Sequence, residues 1–168
     1  MALSKNKKKE VLGAMTDIAD SAKTVVFVNF HGLTVANSTE MRKQLRESGV
    51  GYTVAKKTLA KKAFADKNFK GTMPELDGEF AVAYLPAQAG GDVIAPAREV
   101  NAFVKKFDGK IAILGGVFGG EFKSKEEMVA IASIPGRQQL IGMFVNLINS
   151  PIQRMVIALD QIAKTKQA

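Results

Sequence analysis

The stretch TVVFVNFHGLTVANSTEMRKQLRESGVGYTV, residues 24 to 54, determines the predicted fold class. It opens with a β-branched and aromatic run that predicts a buried strand. Thr34 is a candidate helix N-cap, and Met41 and Leu45 lie one turn apart on the predicted buried side of the helix that follows. The alternating residues 49 to 54 predict a second strand. A strand, a helix and a strand in this order predict an α/β architecture.

Strands and helices keep alternating on both sides of this stretch. Ser124 and Glu127 form a predicted capping box, and Asp92 is a candidate cap for another helix. With 168 residues and 46% hydrophobic content, the chain is expected to form one globular domain, residues 1–134, and a helical region, residues 135–168. The expected fold is an α+β sandwich with a mixed sheet and packed helices, followed by a C-terminal amphipathic helix. The other predicted elements are helices at about 4–22 and from about 58, and strands at about 79–85 and 110–122.

The basic charge is concentrated in the first 70 residues. They contain twelve lysines, two arginines and six acidic residues, whereas the rest of the chain has equal numbers of basic and acidic residues and the net charge is +8. Lysines and arginines gathered on one surface release counterions when they meet phosphates, so this asymmetry indicates a polyanionic partner. A basic surface that only keeps the protein in solution is the alternative.

In the segment VAKKTLAKKAF, residues 54–64, part of this excess positive charge recurs at helical spacing. Leu59 and Phe64 lie on one side of the predicted helix, and Lys57 and Lys61 lie one turn apart on the other. Like charges at that spacing destabilise a helix, which an anionic partner would offset. An ordinary solvated helix face is the alternative. The candidate RNA-binding residues are Lys7, Lys8, Lys9, His31, Arg42, Lys43, Arg46, Lys56, Lys57, Thr58, Lys61 and Lys62.

The region from residue 137 to the end has an apolar stripe at helical spacing that is wider than docking on one surface requires. Ser150 and Pro151 interrupt it, which predicts two consecutive helical segments or one kinked helix, with Ser150 as a possible N-cap. We expect the stripe to bury against partner helices, the alternative being that it folds back onto its own sheet. The candidate partner-binding residues are Ile141, Phe144, Leu147, Ile148, Ile152, Met155, Val156, Leu159 and Ile162.

The sequence offers no recognisable catalytic or metal site. His31 is the only histidine, the chain has no cysteine, and no carboxylate lies beside His31 at ligand spacing. Residues 115–120, GGVFGG, lack the Gly-Lys-Ser/Thr ending of a phosphate-binding loop, so we expect a strand bend or tight hairpin there. Because no such site is recognised, we expect no cofactor. We find no secretion signal and no uninterrupted apolar run of roughly 18 to 20 residues, and we therefore expect no membrane partner.

The segment FHGLTVANSTEMRKQLRESGVGYTVAKKTLAKKAF, residues 30–64, closely resembles the N-terminal domain of the ribosomal stalk-base protein family, the tenth of the large-subunit series. The resemblance continues through KIAILGGVFGGEFKSKEEMVAIASIPGRQQL, residues 110–140, and covers essentially the whole chain. Its most specific elements are Gly32-Leu33-Thr34-Val35, Arg42-Lys43 with Leu45-Arg46, Gly49-Val50, Lys56-x-Thr58-Leu59 and Ile134-Pro135.

This resemblance implies a non-enzymatic protein of the cytoplasmic ribosome that binds large-subunit ribosomal RNA beside the eleventh protein of the series. It also implies a C-terminal helix, at about residues 139–164, that anchors dimers of the acidic stalk protein, the twelfth, in two segments. Those dimers in turn engage GTP-bound translation factors. The family commonly has Arg in place of His31 and Asn in place of Lys57, so specific hydrogen bonds from these two side chains are not carried over.

Two other functions remain open. A free RNA-binding translational regulator would use the same basic residues and would have no partner for its C-terminal helix. The resemblance implies that such a protein can repress its own messenger RNA, which could be a second role of the chain. A small phosphate-handling enzyme would need residues 115–120 to bind a nucleotide, which a calorimetric titration with ATP and GTP would detect.

Overall fold

The computed structural model describes residues 5–65, 67, 69–86, 92–107 and 109–167. Within those ranges the chain forms five strands and six helices. The strands are β1 (Thr24–Phe30), β2 (Gly51–Val54), β3 (Phe80–Tyr84), β4 (Ile111–Phe118) and β5 (Glu121–Lys123). The helices are α1 (Lys5–Ser21), α2 (Val35–Glu47), α3 (Lys57–Ala65), α4 (Ala95–Lys106), α5 (Lys125–Ala132) and α6 (Arg137–Gln167). The chain divides into two compact units, Met1–Ile134 and Pro135–Ala168.

The five strands form one sheet in the order β2-β3-β1-β4-β5. Its four strand pairs are all antiparallel, so the predicted α/β fold with packed helices is confirmed but the expectation of a mixed sheet is wrong. The reason is that β3 lies between β1 and β2. Helix α2 connects two strands that run in the same direction, as in a split βαβ unit, but these strands are not neighbours.

Strand β1 lies at the centre of the sheet and contributes to the core on both faces. Val26 and Val28 pack into a cluster with residues of α2, α4 and α5. Val25 and Phe27 point the other way, as alternate strand residues must, and pack into a cluster with residues of α1 and α3. Three layers result, with helices on both faces of the sheet.

The predicted caps of two helices are confirmed. The Thr34 hydroxyl accepts a hydrogen bond from the backbone N–H of Asn37 at 3.3 Å. Ser124 and Glu127 make both bonds of a capping box, at 3.3 Å and 2.9 Å. These local hydrogen bonds satisfy backbone N–H groups that have no partner inside the helix, and so they set where α2 and α5 begin.

The predicted cap at Asp92 is wrong, because α4 begins three residues later with Ile94 in the N-cap position. Asp92 instead accepts a hydrogen bond from the backbone N–H of Ile94 at 3.1 Å and forms a salt bridge with Arg98 at 2.7 Å. The hydrogen bond from Arg98 lowers the pKa of the Asp92 carboxyl below its ordinary value, although partial burial opposes it. Asp92 therefore stabilises the turn that precedes α4.

Helix α6 continues through Pro151, so of the two predicted alternatives the one with two separate helical segments is wrong and a single helix is found. Ser150 lies inside the helix and is not an N-cap. A proline has no N–H group, so the Leu147 carbonyl lacks its usual hydrogen bond from four residues further on. The rest of the helix spans this defect, and its 31 residues extend over about 45 Å.

Candidate functional sites

The ends of three strands and the start of α3 surround a groove with a volume of about 760 Å³, the β2–α3 groove. Hydrogen bonds fix its backbone frame: the N–H of Ala55 donates to the Phe80 carbonyl at 3.3 Å, and the N–H of Phe30 donates to the Glu79 carbonyl at 3.2 Å. Its apolar lining is Val11, Phe30, Val54, Ala55 and Phe80, and its polar lining is Lys56, Lys57, Thr58 and Glu79, together with Gly78. The groove therefore joins an apolar wall to a charged rim.

Two smaller depressions adjoin this groove because they share residues with it. One, of about 250 Å³, contains Arg42, Arg46 and Tyr52 and shares Val54 with the groove. The other, of about 340 Å³, contains Lys61 and shares Lys57 and Thr58. The three neighbouring depressions are together called the basic surface, whose cations are Arg42, Arg46, Lys56, Lys57 and Lys61.

Helix α2 places its arginines against strand β2. Arg42 and Arg46 are one turn apart and exposed, and the Arg42 guanidinium lies 5.7 Å from the centre of the Tyr52 ring. Burial raises the pKa of Tyr52 to about 12, and the positive charge of Arg42 opposes this rise. The Tyr52 hydroxyl is thus neutral at physiological pH, and the cation–π contact holds Arg42 over the sheet edge.

The cations of the basic surface are exposed and form no salt bridge in the part of the chain that the structure describes. The salt bridges found there use other cations, such as Lys67 with Asp20 and Lys106 with Glu40. Exposed cations that are not paired with a carboxylate keep their charge available to an anion in solution.

Three acidic residues, Glu75, Asp77 and Glu79, also line these depressions. Sequence reasoning missed them, because they are distant in the chain from the lysines that they accompany. The segment between α3 and β3 folds back beside the start of α3, and no local signal indicates such a contact. The basic surface is therefore cationic with an acidic margin on one side.

The other predicted RNA-binding residues are exposed but do not line the basic surface. Lys43 and Lys62 are neighbours of lining residues on α2 and α3. Lys7, Lys8 and Lys9 lie on the exposed first turns of α1, where Lys7 and Lys8 precede Val11 by one turn and share its side of the helix. His31 directly follows Phe30, and its backbone N–H donates to the Lys110 carbonyl at 2.8 Å.

The glycine-rich residues 115–120 form the end of β4 and the turn into β5, as the sequence predicts. Gly115, with φ of +147°, lies where the pairing between β1 and β4 shifts by one residue. A side chain at Gly116 would place its Cβ 2.3 Å from the Val25 carbonyl oxygen. These glycines thus allow the neighbouring strands to pack closely. Among the described residues, no group of three His, Cys, Asp or Glu side chains could hold a metal ion.

Nearly every residue of helix α6 between positions 137 and 165 is exposed. Its large apolar side chains between Leu140 and Ile162 are 44% to 70% exposed, and they include all nine predicted partner-binding residues. Val145, 54% exposed, widens the apolar surface beyond the predicted stripe. The helix carries one ion pair among its described residues, Lys164 with Asp160 at 2.7 Å. An apolar surface of this extent is typical of a helix that packs against a partner.

By length and composition alone, residues Arg137–Thr165 are also apolar enough to cross a membrane, and no other helix within the described ranges is. From the sequence we expected no membrane partner, because the chain has no uninterrupted apolar run of sufficient length. Glutamine and asparagine residues interrupt the apolar residues of this helix, but they add no charge. A single helix of this kind is weak evidence for a membrane segment.

Comparison with known proteins gives consistent matches over nearly the whole chain. A family model described as "Ribosomal protein L10" matches residues 3–105. "Large ribosomal subunit protein uL10" of Shouchella clausii is 35% identical over 160 residues, which are 95% of this chain and 93% of the relative. The proteins of the same name from Bacillus licheniformis and Bacillus cereus are 33% and 32% identical over the same shares of both chains.

Proposed function

The chain belongs to the ribosomal protein L10 family, a family of large-subunit ribosomal proteins, and on that premise we propose a two-part structural role for it. Its N-terminal unit binds large-subunit ribosomal RNA at the base of the ribosomal stalk. Its helix α6 anchors dimers of the acidic stalk protein, which recruit GTP-bound translation factors. The protein is not an enzyme and works on the cytoplasmic ribosome, beside the eleventh protein of the large subunit.

The RNA half of the proposal rests on the basic surface. Five exposed cations without salt bridges come together there from α2, the start of α3 and the loop before it. Such a surface attracts a phosphate backbone and gains free energy by releasing its counterions. The predicted residues outside it, including Lys7, Lys8 and Lys9, extend the same charge along α1 and contribute further phosphate contacts.

The partner half rests on the exposed apolar surface of α6. Burying one Leu, Ile, Phe or Met side chain stabilises a complex by roughly 1.5–3 kcal/mol, so several such residues supply a large driving force. The parts of the helix before and after Pro151, residues 137–150 and 151–167, span about four and about five turns, and both carry exposed apolar residues. We assign one dimer of the acidic stalk protein to each segment.

The two halves predict opposite responses to salt. A tagged full-length chain, captured from a cell lysate at ~0.1 M salt, is expected to retain both ribosomal RNA and acidic stalk dimers. Washing at ~1 M salt should release the RNA, because its phosphate contacts are screened, and should leave the dimers bound through apolar contacts. The measurement is the RNA and protein content of each fraction.

Three outcomes of this capture contradict the proposal. Release of the dimers at high salt with retention of RNA would reverse the two roles. Recovery of RNA without any dimer would favour the free RNA-binding regulator. Recovery of the chain in the membrane pellet before any wash would make α6 a membrane segment.

A further inference from the structure

The β2–α3 groove has features that phosphate contacts alone do not use. Its apolar wall includes Phe30 and Val54, and Val54 remains 44% exposed although it ends a strand of the sheet. A volume of about 760 Å³ lies in the range of pockets that hold small organic ligands. A surface that only followed an RNA backbone would need neither a groove of this volume nor an apolar wall.

Charge complementarity identifies the occupant of the groove. Lys56 and Lys57 form its rim, and Lys8 lies one turn from Val11 on the same side of α1. An apolar wall beside exposed cations matches a nucleotide, which combines a flat, weakly polar base with a charged phosphate. A purely apolar peptide would leave the lysines without a partner, and an RNA duplex keeps its bases stacked out of reach.

The carboxylate of Glu79 indicates which base is preferred. Glu79 is exposed, lines the groove, and makes no side-chain hydrogen bond or salt bridge among the described residues. A carboxylate repels phosphate, but it accepts hydrogen bonds from base N–H groups. The Watson–Crick edge of guanine has two adjacent N–H donors, which fit the two oxygens of one carboxylate. Adenine, cytosine and uracil do not have two donors side by side on this edge.

We propose that the β2–α3 groove binds one unstacked nucleotide of the RNA, with its base against Val54 and Phe30, its phosphate near Lys56 and Lys57, and guanine selected by Glu79. This proposal rests on the proposed RNA-binding function and adds a base-specific site to it. The remaining basic surface holds the flanking backbone and does not distinguish between bases.

A bulged RNA hairpin tests this proposal with the full-length chain. The probes are one hairpin that is fully paired and others that carry a single bulged G, A or U, titrated at one fixed salt concentration. We expect the G-bulged hairpin to bind about tenfold more tightly than the paired one, because a stacked base adds contacts that the duplex does not offer. The A- and U-bulged hairpins should bind less tightly than the G-bulged one.

Two variants separate the apolar wall from the carboxylate. Val54→Asn should reduce the preference for bulged hairpins, whereas Val35→Asn is a matched control, because Val35 is 84% exposed and does not line the groove. Glu79→Gln should remove the preference for G over A without weakening the binding of the paired hairpin. Exposed positions are substituted in each case, so the fold should be retained.

Failure of this proposal differs from failure of RNA binding as such. Equal affinity for bulged and paired hairpins, with a steep dependence on salt, would overturn the groove site and leave the RNA-binding function in place. A preference for bulged G that survives both Val54→Asn and Glu79→Gln would overturn the assigned residues. Absence of binding to every hairpin would overturn both proposals.

Discussion

A chain truncated after Asn149 is expected to bind one dimer of the acidic stalk protein fewer than the full-length chain. The truncation removes Ile152, Met155, Val156, Leu159 and Ile162, which are 56% to 66% exposed in the chain alone. Since these residues supply the apolar contact of the segment after Pro151, no driving force remains there for a dimer. Native mass spectrometry of the complex reports the number of dimers directly.

A point substitution tests the same segment without shortening the helix. Met155→Asp should weaken binding of the second dimer by roughly 100-fold or more, because an unpaired carboxylate would be buried in an apolar contact. Gln161→Asp adds the same charge about 120° around the helix from Met155, outside the predicted apolar stripe, and should leave the stoichiometry unchanged. Full retention of both dimers by the truncated chain, or equal effects of the two substitutions, would contradict the assignment of the distal segment.

The double substitution Lys57→Ala/Lys61→Ala is expected to weaken RNA binding and to flatten its dependence on salt. Each phosphate contact that is lost reduces the steepness of log K against log salt by about 0.9 if the value for duplex DNA applies, so the pair should reduce it by about 1.8. The lysines are one turn apart on α3, and removing their repulsion should slightly stabilise this helix. Loss of affinity would therefore not come from unfolding.

The control for this prediction is the double substitution Lys105→Ala/Lys125→Ala. These two lysines are equally exposed but lie on α4 and α5, away from the basic surface. The control removes the same net charge, so any general effect of charge on RNA binding should appear in both variants. An unchanged affinity and slope for the α3 variant, or an equal loss in the control, would refute the basic surface as the RNA site.

Local signals account for the parts of the fold that sequence reasoning predicts well. Thr34 caps α2 through a bond to a residue three positions away, and the Ser124–Glu127 box does the same for α5. Strand β1 is recognised from its own β-branched and aromatic residues. The repeated apolar spacing likewise predicts α6, whose exposed apolar side chains need no other element to identify them.

Contacts between distant segments explain what sequence reasoning missed. The position of β3 between β1 and β2 depends on strand pairing across more than 25 residues, so the antiparallel sheet is not visible in any local pattern. The same holds for Glu79, which joins the lysines of α3 only because β3 pairs with β2 and β1. Pro151 is a local signal that leaves one helix and two helices both open, and the structure has one, since a long helix continues past one missing hydrogen bond.

Hydrogen exchange on the full-length chain tests most directly whether the N-terminal unit binds RNA and α6 binds the stalk dimers. Exchange is measured on the chain alone, with acidic stalk dimers, and with a fragment of large-subunit ribosomal RNA. The dimers should slow exchange in α6 only, and the RNA should slow it in α1, α2, β2 and α3 but not in α6. Protection of α6 by RNA, or an α6 that is already fully protected in the chain alone, would contradict the account.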